Sequence, residues 1–130
     1  MTLLLWVSSV VAALVHVLFF LQESVWWMKP AIYHKTFGLS AEDAKVVRLF
    51  AFNQGFYNLF LALEIPAGIA LAHSGQVRAG HALVGFACAS MLGAALVLVA
   101  SSRRFWLGAL VQGLPPAVAL ATLAARLWGT

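Results

Sequence analysis

The sequence predicts an all-α protein, an integral membrane bundle of four transmembrane helices with the N and C termini external. Three observations carry this. First, the 130 residues are 63% hydrophobic and only 9% charged, with a mean hydropathy of +0.94, whereas about a quarter of a soluble domain is charged. Second, four apolar runs, Leu3–Trp27, Leu49–Ala72, His81–Ala100 and Phe105–Leu127, each reach the roughly 17–25 residues that a spanning helix needs. Third, the basic residues are unevenly shared between the loops. Lys29, Lys35, Lys45 and Arg48 lie between the first two runs, and Arg103 and Arg104 between the last two; only Arg78 and Arg126 fall on the opposite side. The positive-inside rule then makes the 1–2 and 3–4 loops cytoplasmic. The net charge of +4 is thus a topology signal, and it argues against nucleic acid as a partner. The partner the composition does require is the lipid bilayer.

The runs leave almost nothing over, so residues 1–130 read as a single transmembrane domain of a multi-pass protein of the cell membrane, the inner membrane in a bacterium. The tryptophans agree with this layout. Trp6 and Trp128 fall at outer ends of spans, Trp26, Trp27 and Trp106 at inner ends, and none mid-span, as aromatic belts require. The single cysteine, Cys88, lies mid-span and reads as a small buried hydrophobe. The first run lacks the basic n-region of a signal peptide and is too long for one. It also carries His16 and Glu23, and is expected to be retained.

Helix 1 is expected from about Leu3 to Met28, ended by Pro30, which disfavours helix in the residue before it. His16 and Glu23 are seven apart and share one face. Glu23, one turn from the cytoplasmic end, either snorkels towards Lys29 or faces inward. His16 is near mid-membrane and has no such escape, so it either hydrogen-bonds a neighbouring helix or serves chemistry. The segment Ala31–Leu39 is expected to be a cytoplasmic loop. Ser40 followed by Asp43 is a helix-capping pattern with acids in the first turn, so the second helical region starts near Ala41 and is amphipathic through Arg48.

The polar centre of the chain is Asn53-Gln54-Gly55-Phe56-Tyr57-Asn58, at the head of the second run. In hydrocarbon such side chains face a bundle interior or a water-filled cavity, so an inward-facing polar site is expected here. Asn53, Tyr57 and Glu64 form one stripe, Gln54 and Asn58 a neighbouring one, and Gly55 permits close approach of another backbone. Glu64 precedes Pro66, which frees the carbonyl of Ala62. If the first two spans are antiparallel neighbours, Glu23 lies level with Asn53 and Tyr57, and His16 with Glu64, giving two polar layers.

In the third span, Gly85, Ala89 and Gly93 form a small-residue seam suited to tight helix packing, the surface a homo-oligomer would use. His81 sits at the outer membrane edge. In the fourth span Pro115 and Pro116 free the carbonyls of Val111 and Gln112, a polar spot that the Gln112 side chain is placed to satisfy. The sequence has no P-loop, zinc-ligand spacing, nucleophile elbow or dinucleotide fingerprint, and no metal site is expected. His16 and His81 differ too much in depth for a bis-histidine haem, leaving a haem held by His16 alone as the one cofactor reading.

Glu23 through Trp27, the run Asn-Gln-Gly-Phe-Tyr-Asn-Leu-Phe-Leu-Ala at 53–62 and Gln112-Gly-Leu-Pro115 resemble an uncharacterised family. It is a domain-of-unknown-function family of small integral membrane proteins of four predicted spans. The resemblance covers most of the chain. It implies the four-span fold and matches Glu23, Trp27, Asn53, Gln54, Gly55, Tyr57 and Asn58 to the family's polar signature. Leu59 and Glu64 depart from it, standing where small residues are expected. The resemblance implies no activity.

Three functions stand open on the residues. In the first, the polar pocket binds a small lipophilic molecule and isomerises or hydrates it by acid/base chemistry. A carboxyl in hydrocarbon disfavours its anion and suits proton transfer. Glu23 would be the acid or base and Tyr57 the electrophilic donor, with His16 and Glu64 as further catalytic candidates. Asn53, Gln54, Asn58, Trp27 and Gln112 would bind substrate. The second is proton-coupled export of small molecules, against which the charge bias argues where dual topology is needed. The third is a structural subunit in which the polar cluster is helix–helix glue. Interhelical polar bonds contribute only about 1 kcal/mol each, and the cluster is larger than adhesion requires.

Overall fold

The computed structural model describes the backbone of residues 2–128 and the side chains of residues 3–126; the expected position of the Trp128 ring lies outside these. The protein is all-α, with no strand among the described residues. Helix α1 (Thr2–Phe20) runs into a π-helical turn (Leu21–Val25), and a second π-helical stretch (Ala31–Thr36) follows. Then come α2 (Ala41–Val46), α3 (Arg48–His73), α4 (Val77–Ser101), a 3-10 turn (Arg103–Phe105) and α5 (Trp106–Trp128).

Four stretches are long and apolar enough to cross a membrane: Leu3–Val25, Arg48–His73, Val77–Ser101 and Arg103–Arg126. At most 33% of any of their apolar windows is buried within the chain, and Leu14, Phe86, Val97 and Leu114 are among the large side chains left facing outward. Each such residue forgoes about 1.5–3 kcal/mol if it faces water, and lipid removes that cost. The chain is a multi-pass membrane protein.

Its residues group into two compact units, one of Met1–Val15 with Leu61–Thr130 and one of His16–Phe60. The helices α1 and α3 contribute to both. In the larger unit the core is Leu5, Ala12, Ile65, Val84, Ala87, Cys88, Met91 and Ala119. Cys88 is there as the small buried residue expected, its Sγ 4.0 Å from the Ser9 hydroxyl. The hydroxyls of Ser8 and Ser9 donate back to the carbonyls of Leu4 and Leu5 at 2.6–3.1 Å, and Thr122 donates to Val118 O at 2.8 Å. This self-satisfaction is how hydroxyls survive in an apolar helix.

The tightest helix contact in this unit is not the seam expected at Gly85, Ala89 and Gly93. A Cβ on Gly80 would strike the Gly68 carbonyl and come within 2.6 Å of the Ala72 nitrogen, while one on Gly68 would lie 2.7 Å from a Val84 methyl. Here α3 and α4 touch backbone to backbone. Of the expected seam, Gly85 packs against Leu123 of α5, Ala89 is exposed and Gly93 faces open space. At the same end of these helices the Trp6 ring lies beside His81, with ring centres 5.5 Å apart, and beside His73 at 6.4 Å.

In the smaller unit, α1 does not continue to Met28 as expected. It widens into the π turn, closed by Trp26 N–H to Leu21 O at 2.7 Å, and the chain then bends at Trp27–Lys29. The segment expected as a loop is the second π-helical stretch, which ends at Gly38 with φ +69°. That left-handed conformation is one glycine adopts without strain. Ser40 caps α2 as expected: its Oγ accepts from Asp43 N–H at 3.0 Å and donates to the Asp43 carboxylate at 2.7 Å. Helix α2 breaks at Val47 before α3 begins.

Candidate functional site

The candidate site lies wholly within the His16–Phe60 unit and is built by three contacts. At Gly55 the backbone of α3 meets the π turn so closely that an added Cβ would overlap the Ser24 hydroxyl and lie 3.1 Å from the Ser24 nitrogen. Ser24 Oγ uses that proximity to donate to the Phe52 carbonyl at 2.7 Å. One residue earlier, the Glu23 carboxylate accepts a hydrogen bond from Asn58 Nδ2 at 2.8 Å. Further along, the buried Trp27 ring donates its Nε1–H to the Ala44 carbonyl at 2.8 Å, tying the bend after the π turn to α2.

These contacts frame a cleft of about 420 Å³. Glu23, Asn53, Gln54 and Tyr57 line it with polar groups, Trp27, Phe37 and Phe50 with aromatic rings, and Val47 and Ala51 with small apolar surface. Trp27 and Phe37 form a fixed corner, ring centres 5.0 Å apart and planes inclined at 56°. The volume falls in the range of about 300–1,000 Å³ typical of small-molecule sites.

The layer of Glu23 with Asn53 and Tyr57 is therefore present, with one correction. The residue that bonds Glu23 is Asn58, from the stripe thought to be only a neighbour. Asn58 is buried, whereas Asn53, Gln54 and Tyr57 are exposed on the cleft side, Tyr57 by 58%. The site is thus an open cleft rather than an enclosed interior. Among the described residues, the side chains of Asn53, Gln54 and Tyr57 make no hydrogen bond. Glu23 does not snorkel to Lys29, whose ammonium lies over the Trp26 ring at 5.2 Å.

The remaining expected site residues stand elsewhere. His16 is fully buried, with its ring edge-on to Phe19 at 5.8 Å. Glu64 and Gln112 belong to the larger unit. Glu64 is half-buried, and its Oε2 has no hydrogen-bond partner among the described residues. Gln112 is buried on α5, but its amide does not satisfy the carbonyls that Pro115 and Pro116 free; it makes no hydrogen bond among the described residues. None of the three lines the cleft.

Sequence reasoning missed Phe37, Val47 and Phe50 as cleft walls, and Ser24 as the residue that locks the π turn. Phe37 carried no signal, because it follows a segment without helical periodicity. Phe50 did, since it sits one turn before Asn53 and Gln54 on α3.

A model of the family described as "Protein of unknown function (DUF1304)" matches residues 10–124 of the chain. No curated protein and no solved structure matches it.

Proposed function

We propose a function for a chain that belongs to the DUF1304 family of proteins of unknown function, and the reading accordingly comes from the cleft itself. The cleft binds a small lipophilic molecule by its polar end, with Glu23 as the group that handles a proton. One observation carries this. Asn53, Gln54 and Tyr57 line the cleft beside the rings of Trp27, Phe37 and Phe50 without a hydrogen bond to any described residue. Glue would be bonded, as Asn58 is to Glu23; these three are free to bond something that enters.

The roles follow from position. Glu23, held by Asn58 through Oε2, acts as acid or base, and Tyr57 donates to a carbonyl, epoxide or alkene-derived centre opposite it. Asn53 and Gln54 orient the polar end, and Trp27 supplies a fixed apolar wall. Isomerisation by general acid/base chemistry uses these groups to move a proton within the substrate, and hydration adds one water as co-substrate, which Glu23 would deprotonate. The test is a mass and absorption spectrum of full-length protein purified gently from its own membrane, beside Glu23→Gln and Tyr57→Phe. A stoichiometric small molecule in the wild type that is reduced in both variants is the expected result. An empty wild type, or a molecule retained equally by all three, overturns the proposal.

A further inference from the structure

We infer that the cleft selects a lipophilic ammonium cation, a class-level assignment that rests on reading the cleft as a binding site. The argument starts from charge. The smaller unit carries Lys29, Lys35, Lys45 and Arg48, yet no basic side chain lines the cleft among the described residues. Among the described residues, the only carboxyl lining it is Glu23. An anionic ligand would meet that carboxyl with no cation to offset it, and would find only amide and phenol donors. A cation pairs with it.

The second part is the aromatic surface. Trp27, Phe37, Phe50 and Tyr57 all line the same space as Glu23. Aromatic faces attract cations through the ring quadrupole, Trp most strongly, and quaternary ammonium groups are recognised by such cages. Trp27 is held in place by its bond to Ala44 and by its contact with Phe37, so two of the four rings are preorganised. Within this chain the same chemistry already operates next door, where the Lys29 ammonium lies over Trp26. A carboxyl with four rings around an open cleft fits a compact ammonium head whose apolar tail leaves through the opening.

The experiment compares two probes of one shape, benzyltrimethylammonium and its uncharged carbon isostere neopentylbenzene. Binding to full-length protein in lipid nanodiscs is read by saturation-transfer NMR against empty nanodiscs. The expected result is that the cation binds about tenfold more tightly than the isostere, and that Glu23→Gln removes that preference. Phe50→Leu, at a position 75% exposed and so without a core role, is expected to weaken the cation by about threefold and leave the isostere unchanged. Equal binding of the two probes, or a cation affinity insensitive to both variants, overturns the cation assignment while leaving the cleft as a binding site. Binding of neither probe also overturns the assignment. The co-purification spectrum then decides the binding site separately.

Discussion

Asn58 and Asn53 have the same side chain, sit five residues apart on α3, and do different work. Asn58 is buried and donates to Glu23, whereas Asn53 is exposed and lines the cleft. Asn58→Ala leaves a half-buried carboxyl without its donor and is expected to lower stability by about 1–3 kcal/mol. Asn53→Ala is expected to stay within about 0.5 kcal/mol of wild type while weakening ligand capture. Unfolding in detergent read beside ligand recovery separates the two, and equal destabilisation by both would show that Asn53 has a structural bond. The sequence made the cluster legible, because polar groups in an apolar run are rare and costly. It did not reveal which amide meets Glu23. Helical spacing places Gln54 and Asn58 on one stripe and Asn53 and Tyr57 on the next, but it does not say which stripe faces Glu23, and nothing in Leu21–Val25 announces the π turn that carries it.

At the scale of elements, the close helix contact within the chain falls on other small residues than the seam of Gly85, Ala89 and Gly93. Gly85, Ala89 and Gly93 have the spacing, but spacing says nothing of which face meets a neighbour. The close crossing instead uses Gly68 on α3 and Gly80 on α4, on either side of the short turn 74–76, in which Gly75 has φ +93°. Gly80→Ala is expected to cost about 1–3 kcal/mol by overpacking, since backbone rather than a flexible side chain stands in the way. Gly93→Ala, facing open space, is expected to be neutral within the single chain. Thermal unfolding of the two variants checks this; a destabilised Gly93→Ala would place a second copy of the chain against that face. The π turn has a similar standing. Such turns occur often at functional sites, and this one carries Glu23 and Ser24 to α3.

For the whole molecule, the fold class was the most legible feature, because composition and run length decide it before any packing is known. The four helices and the absence of strands among the described residues follow from the same 63% hydrophobic content. Orientation rests on the loop charges alone. Reporter domains fused at either terminus, one active only outside the cytoplasm and one only within, are expected to place both ends outside. Termini found inside, or a mixture, would reverse the charge reading and put the cleft, which lies beside the basic 1–2 segment, at the other face.

The hydroxyls of Ser8 and Ser9 bond the carbonyls of their own helix, whereas Glu23 waits for an amide 35 residues further along the chain. This difference sets an order for biogenesis. As the polypeptide is made, the first half of α1 is already complete in its polar needs and can enter the bilayer alone. The π turn that carries Glu23 lacks its donor until Asn58 has been synthesised and brought alongside. The polar end of the cleft is therefore complete only once α3 stands beside the π turn.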